Sequence, residues 1–75
     1  MSEILLDVKG LNCPLPILRA KKALARIEVG QSLRVLATDP AAPQDFAAFC
    51  LQIGQALESS TEDGGIFSFV IRRVK

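Results

Sequence analysis

The stretch GLNCPLPILRAKKAL, residues 10–24, places a cysteine directly before two prolines and a run of helix-forming residues. A thiolate at the positive N-terminal end of a helix is stabilised, so the pKa of a cysteine there can lie well below that of a free thiol. Proline suits the first helical position, because its φ is already helical and its missing N–H has no intrahelical acceptor there. The pattern predicts that Pro14 and Pro16 hold a helix start rigid around the reactive sulfur of Cys13, with Pro14 in the first helical position.

Cys13 has an alternative role as a small apolar filler, with the prolines as ordinary helix punctuation, because free cysteines are often buried. The position of Cys13 favours the reactive role. It follows the first predicted strand, and TDPAAP, residues 38–43, follows the second. The carboxyl ends of parallel strands form the edge where sites of open α/β sheets lie. We therefore expect Thr38, Asp39 and Pro40 near Cys13.

Asp39 has two possible roles at this edge of the sheet. It can cap the second helix, which is the role that we favour, or it can act directly on the Cys13 thiol. A carboxylate too close to the thiol would oppose formation of the thiolate.

Hydrophobic periodicity predicts the order strand, helix, strand, helix, strand, strand. The predicted spans are residues 4–8, 14–28, 33–38, 44–55, 57–62 and 66–74. A strand–helix–strand unit with short links makes the first two strands parallel, and an Asp-Gly turn at 63–64 predicts a hairpin between the last two. Each helix has a single apolar stripe, so both should cover the same face of one four-stranded sheet. The expected fold class is an α/β (α+β) two-layer sandwich in a single domain, residues 1–75.

Composition excludes several kinds of chemistry. The chain has no histidine, so a Cys–His pair, an imidazole zinc site and a histidine general base are impossible within it. Two cysteines cannot complete a four-ligand zinc site, and we expect no cofactor and no metal. The net charge of +1 argues against a protein built around the phosphate backbone of nucleic acid.

Nothing in the sequence resembles a membrane span or an export signal. No apolar run approaches the length that crosses a bilayer, and the N-terminus has no basic segment ahead of an apolar block. We expect a cytoplasmic protein whose thiols are kept reduced.

Cys50 differs from Cys13 in its surroundings. It belongs to an apolar stripe with Phe46, Phe49 and Ile53 on the second predicted helix, so it should pack in the core. A reducing compartment and the expected positions on separate helices argue against a Cys13–Cys50 disulfide.

The first predicted helix carries a basic face of Arg19, Lys22 and Arg26, with Lys21 beside it. Most charged helix faces are solvated surface. The alternative is a docking surface that steers acidic partners towards Cys13.

The chain resembles the TusA/SirA-like sulfur-carrier proteins from Leu6 to Arg73. The resemblance rests on GLNCPLP, ILRAKKAL, TDPAAPQDFAAFC, Gly54 and FSFVIRR. The Cys-Pro-x-Pro signature of that family falls on Cys13, Pro14, Leu15 and Pro16, and Gly10 and Asp39 stand at supporting positions.

The resemblance implies two helices on a mixed four-stranded sheet and a persulfide on Cys13. Sulfane sulfur would come from a cysteine desulfurase or a rhodanese-type donor and pass to an acceptor protein, for tRNA thiolation, molybdenum-cofactor synthesis or sulfur oxidation. Such a protein is a covalent relay rather than a stand-alone enzyme, with no membrane and no direct nucleic-acid partner. Leu15 departs from the acidic residue of the tRNA-thiolation members, which leaves the acceptor open. The alternative function is a small RNA-binding or regulatory adaptor module that uses the basic face.

Overall fold

The computed structural model describes residues 3–75, which alternate strand and helix before ending in a hairpin. The elements in chain order are β1 Glu3–Asp7, α1 Leu15–Arg26, β2 Ser32–Ala37, α2 Ala42–Ile53, β3 Ala56–Asp63 and β4 Ile66–Arg72. The order of strands and helices is the one predicted from periodicity. The predicted span of α1, 14–28, was too long at both ends, and the predicted span of α2, 44–55, was two residues too late at both ends.

The four strands form one mixed sheet in the order β1-β2-β4-β3, and this confirms the expected fold class. β1 runs parallel to β2, with Leu6 opposite Val35, and β4 runs antiparallel to both β2 and β3. Because β1 and β2 are parallel, their carboxyl ends meet at the same edge of the sheet. The two loops that leave this edge lead into α1 and α2.

The core lies between the sheet and both helices. Along β2, Leu33, Val35 and Ala37 are fully buried, whereas the residues between them point to the open face and are half-buried. The helices fill the same core with a set of small and aromatic side chains, namely Ala20, Leu24, Phe46, Phe49 and Cys50. Since all of these join one apolar cluster with the same side of β2, the two helices cover one face of the sheet.

Phe46 of α2 and Phe69 of β4 are the largest side chains at the centre of this core. Both are fully buried, and their rings stack with centroids 4.7 Å apart at an angle of 20°. Burying an aromatic side chain of this size stabilises the fold by about 1.5–3 kcal/mol. The Phe46–Phe69 contact therefore fixes α2, and with it the start of α2, against the sheet.

Candidate functional site

The loop between β1 and α1 is fastened to the end of β2. The Val8 N–H donates to the Leu36 carbonyl at 2.9 Å, and the Gly10 N–H donates to the Thr38 hydroxyl at 2.9 Å. Gly10 has a φ of 82°, in the left-handed region that glycine adopts without strain. The chain can therefore turn sharply at Gly10 and return towards the sheet edge before it reaches Cys13.

Asp39 joins the two loops that leave this edge. Its Oδ2 accepts the Cys13 N–H at 2.8 Å, and its Oδ1 accepts the Ala41 N–H at 3.1 Å. Its carbonyl accepts the Ala42 N–H at 2.9 Å. The N-cap of α2 is Ala41, whose side chain makes no capping hydrogen bond. Asp39 is therefore not the N-cap that we favoured. It lies two residues before the cap position, and one of its side-chain oxygens accepts the Cys13 N–H.

Helix α1 begins one residue later than predicted, at Leu15. Pro14 is its N-cap rather than its first residue, and the Cys13–Pro14 peptide bond is cis. The Leu15 N–H donates to the Asn12 carbonyl at 2.9 Å, so a turn over 12–15 precedes the helix and uses the first amide. Pro16 is buried within the first turn and anchors it to the core. Cys13 consequently lies one residue outside the helix cap.

The Cys13 thiol is exposed and free, and its pKa is raised, not lowered as the sequence predicted. The largest cause of the raised pKa is the side chain of Asp45, in the first turn of α2. Desolvation and the negative charges of Asp45 and Asp39 act in the same direction. The expectation was wrong because Cys13 stands outside the cap of α1 and the start of α2 brings carboxylates to it.

Asp45 is the residue of this site that the sequence analysis missed. It is six positions after Asp39 and lies in the first turn of α2, both in the predicted span that begins at residue 44 and in the structure. The available signal was the shared sheet edge: both helices begin there, so an acidic first-turn residue of one helix can face the start of the other.

The basic face of α1 borders a groove against β1. Arg19, Lys22 and Arg26 line it, and its floor is apolar, formed by Ile4, Leu6, Ala23 and Ile27. The groove has a volume of about 430 Å³. The ion pairs among residues 3–75 are Lys9–Asp7, Arg34–Glu3 and Arg72–Glu58. None of the three basic residues of the groove has an acidic partner in the described part of the chain.

Two exposed leucines lie between Cys13 and the basic face. Leu15 is 44% exposed and Leu18, one turn later, is 48% exposed. Together with Lys21 and Ala25 they line a second groove of about 490 Å³, which shares Arg19 and Lys22 with the first. On the α1 side of the thiol the surface is therefore apolar, and positive charge begins one turn further along the helix.

A free, exposed thiol held on an open sheet edge defines a class of protein that presents its sulfur to other molecules. The comparisons with known proteins give that class a family. A family model described as Sulfurtransferase TusA matches residues 4–73, and the chain belongs to this family.

Relatives and a solved structure agree with the family. The chain is similar to the sulfur carrier protein TusA of Allochromatium vinosum, with 56% identity over 91% of this chain and 90% of the relative. It is also similar to the sulfur carrier protein TusA of Pseudomonas putida, with 37% identity over 95% and 89%. The crystal structure of a SirA-like protein from Desulfitobacterium hafniense superimposes with a TM-score of 0.83, at 30% identity over 96% of this chain and 99% of that one.

Membership of this family gives the chain a role in sulfur relay, and a relay implies a sulfur donor and a sulfur acceptor. The comparisons lend no support to the alternative of an RNA-binding or regulatory module. Within residues 3–75, no helix is both long and apolar enough to cross a membrane.

Proposed function

We propose that residues 1–75 act as one sulfur-carrier domain, which accepts sulfane sulfur as a persulfide on Cys13 and relays it to an acceptor protein. The observation that carries this proposal is the contrast between two free thiols, with Cys13 exposed at the sheet edge and Cys50 buried in the core. Only the exposed thiol can meet a sulfur atom that another protein offers.

The chemistry is an exchange at sulfur that needs no oxidant. The Cys13 thiolate attacks the outer sulfur of a donor persulfide, a new S–S bond forms, and the donor's inner sulfur leaves as a thiolate. Cys13 then carries the outer sulfur. An acceptor thiolate attacks that sulfur in turn, and Cys13 leaves as a thiolate. The protein is a covalent relay rather than a stand-alone enzyme, and it requires no cofactor or metal.

The residues around Cys13 support this exchange by holding the loop in place. Gly10 allows the turn, Pro14 and Pro16 shape the start of α1, and Asp39 fixes the Cys13 amide. Positioning of this kind leaves the sulfur itself free to move towards a partner.

Partner proteins dock, in this proposal, on the basic face of Arg19, Lys22 and Arg26. Three cations that have no acidic partner among residues 3–75, beside an apolar groove, fit an acidic surface of a cysteine desulfurase, a rhodanese-type donor or an acceptor. Leu15 adds an apolar contact next to the thiol, where the tRNA-thiolation members of the family carry an acidic residue. Leu15 is thus a residue by which acceptors distinguish this carrier from those members.

We assign this relay to the cytoplasm, where a reducing environment keeps Cys13 free to accept sulfur. The acceptors that suit the chemistry belong to tRNA thiolation, molybdenum-cofactor synthesis or sulfur oxidation. Direct binding of nucleic acid has little to support it: Phe46, Phe49 and Phe69 are buried and Phe67 is half-buried, so no exposed ring offers a base a stacking surface in the described chain.

Persulfide loading tests the proposed function. After incubation with a cysteine desulfurase and cysteine, intact-mass analysis should show a gain of one sulfur atom on the protein. Cys13→Ala should show no gain, whereas Cys50→Ala, the matched control, should be loaded like the wild type. Equal loading of Cys13→Ala, or no loading of the wild type, would overturn the proposal.

Charge reversal tests the docking surface. Replacing Arg19, Lys22 and Arg26 by Glu should slow sulfur transfer from the desulfurase by about tenfold or more, since complementary charge governs encounter rates. Alkylation of Cys13 by a small neutral reagent should not change. Arg72→Glu, on the far side of the sheet, is the control; an equal effect on transfer there would remove the case for a specific docking face.

A further inference from the structure

The two edge strands of the sheet, β1 and β3, differ in how well their outer edges are protected. Polar side chains and bulges commonly keep an edge strand from pairing with another chain. β3 has both features, since Ala56–Asp63 is mostly polar and its register shifts between Leu57 and Ser59. β1 pairs regularly with β2 and has charged residues only at its ends, and in its apolar middle Ile4 is 40% and Leu5 60% exposed. The edge of β1 is therefore the one that can accept another strand.

Alternate residues of β1 direct their backbone groups away from β2. The Val8 N–H, directly after β1, donates to the Leu36 carbonyl of β2. Because successive residues of a strand point their N–H and C=O groups to opposite edges, those of Leu6 also face β2, whereas those of Leu5 and Asp7 face outward. In the described part of the chain, β1 pairs with no strand other than β2. The outward amides and carbonyls of β1 can thus pair with an added strand.

A groove lies between this edge and α1, on the face of the sheet that the helices cover. Its apolar floor includes Ile4 and Leu6 of β1, and the basic face of α1 lines it. The cations of that face have no acidic partner among residues 3–75. A strand added to β1 would direct every second side chain into this groove and the others to the open face, beside Leu5. The groove therefore favours a strand that carries carboxylates on one side.

The spacing of two of these cations matches the repeat of a strand. Lys22 and Arg26 are one turn apart, about 6 Å along the axis of α1. Alternate residues of a strand are about 6.6 Å apart. Two acidic residues separated by one residue in an added strand would therefore lie at the spacing of Lys22 and Arg26.

We propose that an extended acidic segment of a sulfur-transfer partner adds to β1 as a fifth strand and places its carboxylates on the basic face of α1. The proposal rests on the sulfur-carrier function and states how the docking face recognises its partner, by backbone pairing along β1 as well as by charge. The loop that leads to Cys13 leaves the carboxyl end of β1. A segment bound along β1 is thereby directed towards the edge that carries the thiol.

A second copy of this chain fits the same edge less well. If two β1 strands paired, Ile4 and Leu6 of each copy would face the helix-covered side, because these are the residues that line the groove. The basic faces of both copies would then share one side of the sheet with no carboxylate between them. An acidic partner strand neutralises those cations, so charge favours the partner over self-association.

The first test uses a synthetic peptide and no sulfur chemistry. A peptide of about ten residues, with glutamate at alternate positions and valine between them, is titrated into the full chain. At saturation, hydrogen exchange measured by NMR should slow about tenfold or more at the Leu5 and Asp7 amides and should not change on β3. The matched control is the same peptide with every backbone nitrogen methylated, which keeps its charges but cannot donate to β1. It should bind about tenfold or more weakly.

The second test changes the charges of the groove. The double variant Lys22→Glu, Arg26→Glu should bind the unmethylated peptide about tenfold or more weakly than the wild type. Lys21→Glu is the matched control, since Lys21 is on the same helix but does not line this groove, and it should weaken binding about threefold or less. Thermal unfolding of each variant separates lost binding from lost stability.

The third test connects the edge of β1 to sulfur transfer. The proposed docking of the sulfur donor uses the same face, so the bound peptide should slow persulfide loading of Cys13 by a cysteine desulfurase about tenfold or more. The methylated peptide at the same concentration should slow it much less.

The outcomes separate the added strand from the carrier function. No binding of the unmethylated peptide, equal binding of the methylated one, or pairing of two copies of the free protein through the Leu5 and Asp7 amides would overturn the added strand. Unchanged loading with the peptide bound would overturn the assignment of this edge to a sulfur-transfer partner. If no sulfur were loaded on the wild type without peptide, the carrier function would fall, whereas exchange at the β1 amides would still decide whether β1 accepts a strand.

Discussion

Cys13 and Cys50 are the same functional group in two environments, and their raised pKa values have different causes. Burial raises the pKa of Cys50 to about 11, on a helix face where the residue is 2% exposed. At Cys13, which is exposed, the largest cause of the raised pKa is the side chain of Asp45. Burial cannot be undone without unfolding, whereas the effect of a carboxylate ends when another charge pairs with it. A raised pKa therefore marks Cys50 as inert but leaves Cys13 open to activation.

Labelling the thiols of the native protein tests the difference between Cys13 and Cys50 most directly. Iodoacetamide should add once, to Cys13. Its reaction with Cys50 should be slower by at least about a thousandfold, because Cys50 reacts only when the core opens. Mass analysis after digestion identifies the labelled residue. In denaturant the two cysteines should react alike. Comparable native rates would mean that the core around Cys50 is not closed.

Phe46→Ala should remove the protection of Cys50 without touching Cys13. Phe46 is one turn before Cys50 on the buried face of α2 and stacks on Phe69, so truncation should lower the free energy of unfolding by about 3–5 kcal/mol. Leu51→Ala is the matched control on the same helix, since Leu51 is 85% exposed, and should change the free energy by about 0.5 kcal/mol or less. Urea unfolding measures both. A similar loss from the two truncations would contradict the assignment of the core.

Alkaline pH should distinguish the two thiols by stability. The pKa of Cys50 is raised from 9.0 to about 11 in the fold, so its contribution to stability is complete below pH 9 and is lost as the pH rises through about 11. A shift of about two pKa units corresponds to a loss of about 2–3 kcal/mol in the free energy of unfolding. Cys50→Ala should flatten this part of the profile, and Cys13→Ala should leave the contribution of Cys50 in place. Identical profiles of stability against pH for the wild type and Cys50→Ala would rule out this contribution of Cys50.

The sequence predicted those features that depend on local periodicity. Alternation along Leu33, Val35 and Ala37 identifies the buried side of β2, and the helical spacing of Phe46 and Cys50 identifies the buried side of α2. In both cases, the burial of one side chain follows from the period of its own element.

The environment of Cys13 depends on contacts between elements, and the hydrophobic periodicity of one element does not predict such contacts. The Leu15 amide turns back to Asn12, which delays the start of α1, and Asp45 approaches from a different helix. The hydrophobic alternation of β3 is weak for a related reason. Ala56–Asp63 is largely polar and exposed, and its pairing with β4 is what makes it a strand. The sequence of a helix start therefore indicates where a thiol lies, whereas the pKa of that thiol depends on residues that other elements bring to it.

Asp39→Asn tests the two side-chain hydrogen bonds that hold the loop around Cys13 and have no counterpart at Cys50. An amide offers one acceptor oxygen in place of two, so the Cys13 N–H or the Ala41 N–H should lose its partner. The cost should be about 1–2 kcal/mol of stability, and hydrogen exchange should quicken at the Cys13 amide or at the Ala41 amide but not at the Cys50 amide within α2. Asp7→Asn is the control, because Asp7 contacts only the nearby N–H and ammonium of Lys9 at the exposed end of β1, and it should cost about 0.5 kcal/mol or less. If exchange were unchanged at both the Cys13 and the Ala41 amides in Asp39→Asn, the bridge between the two loops would not be what positions the thiol.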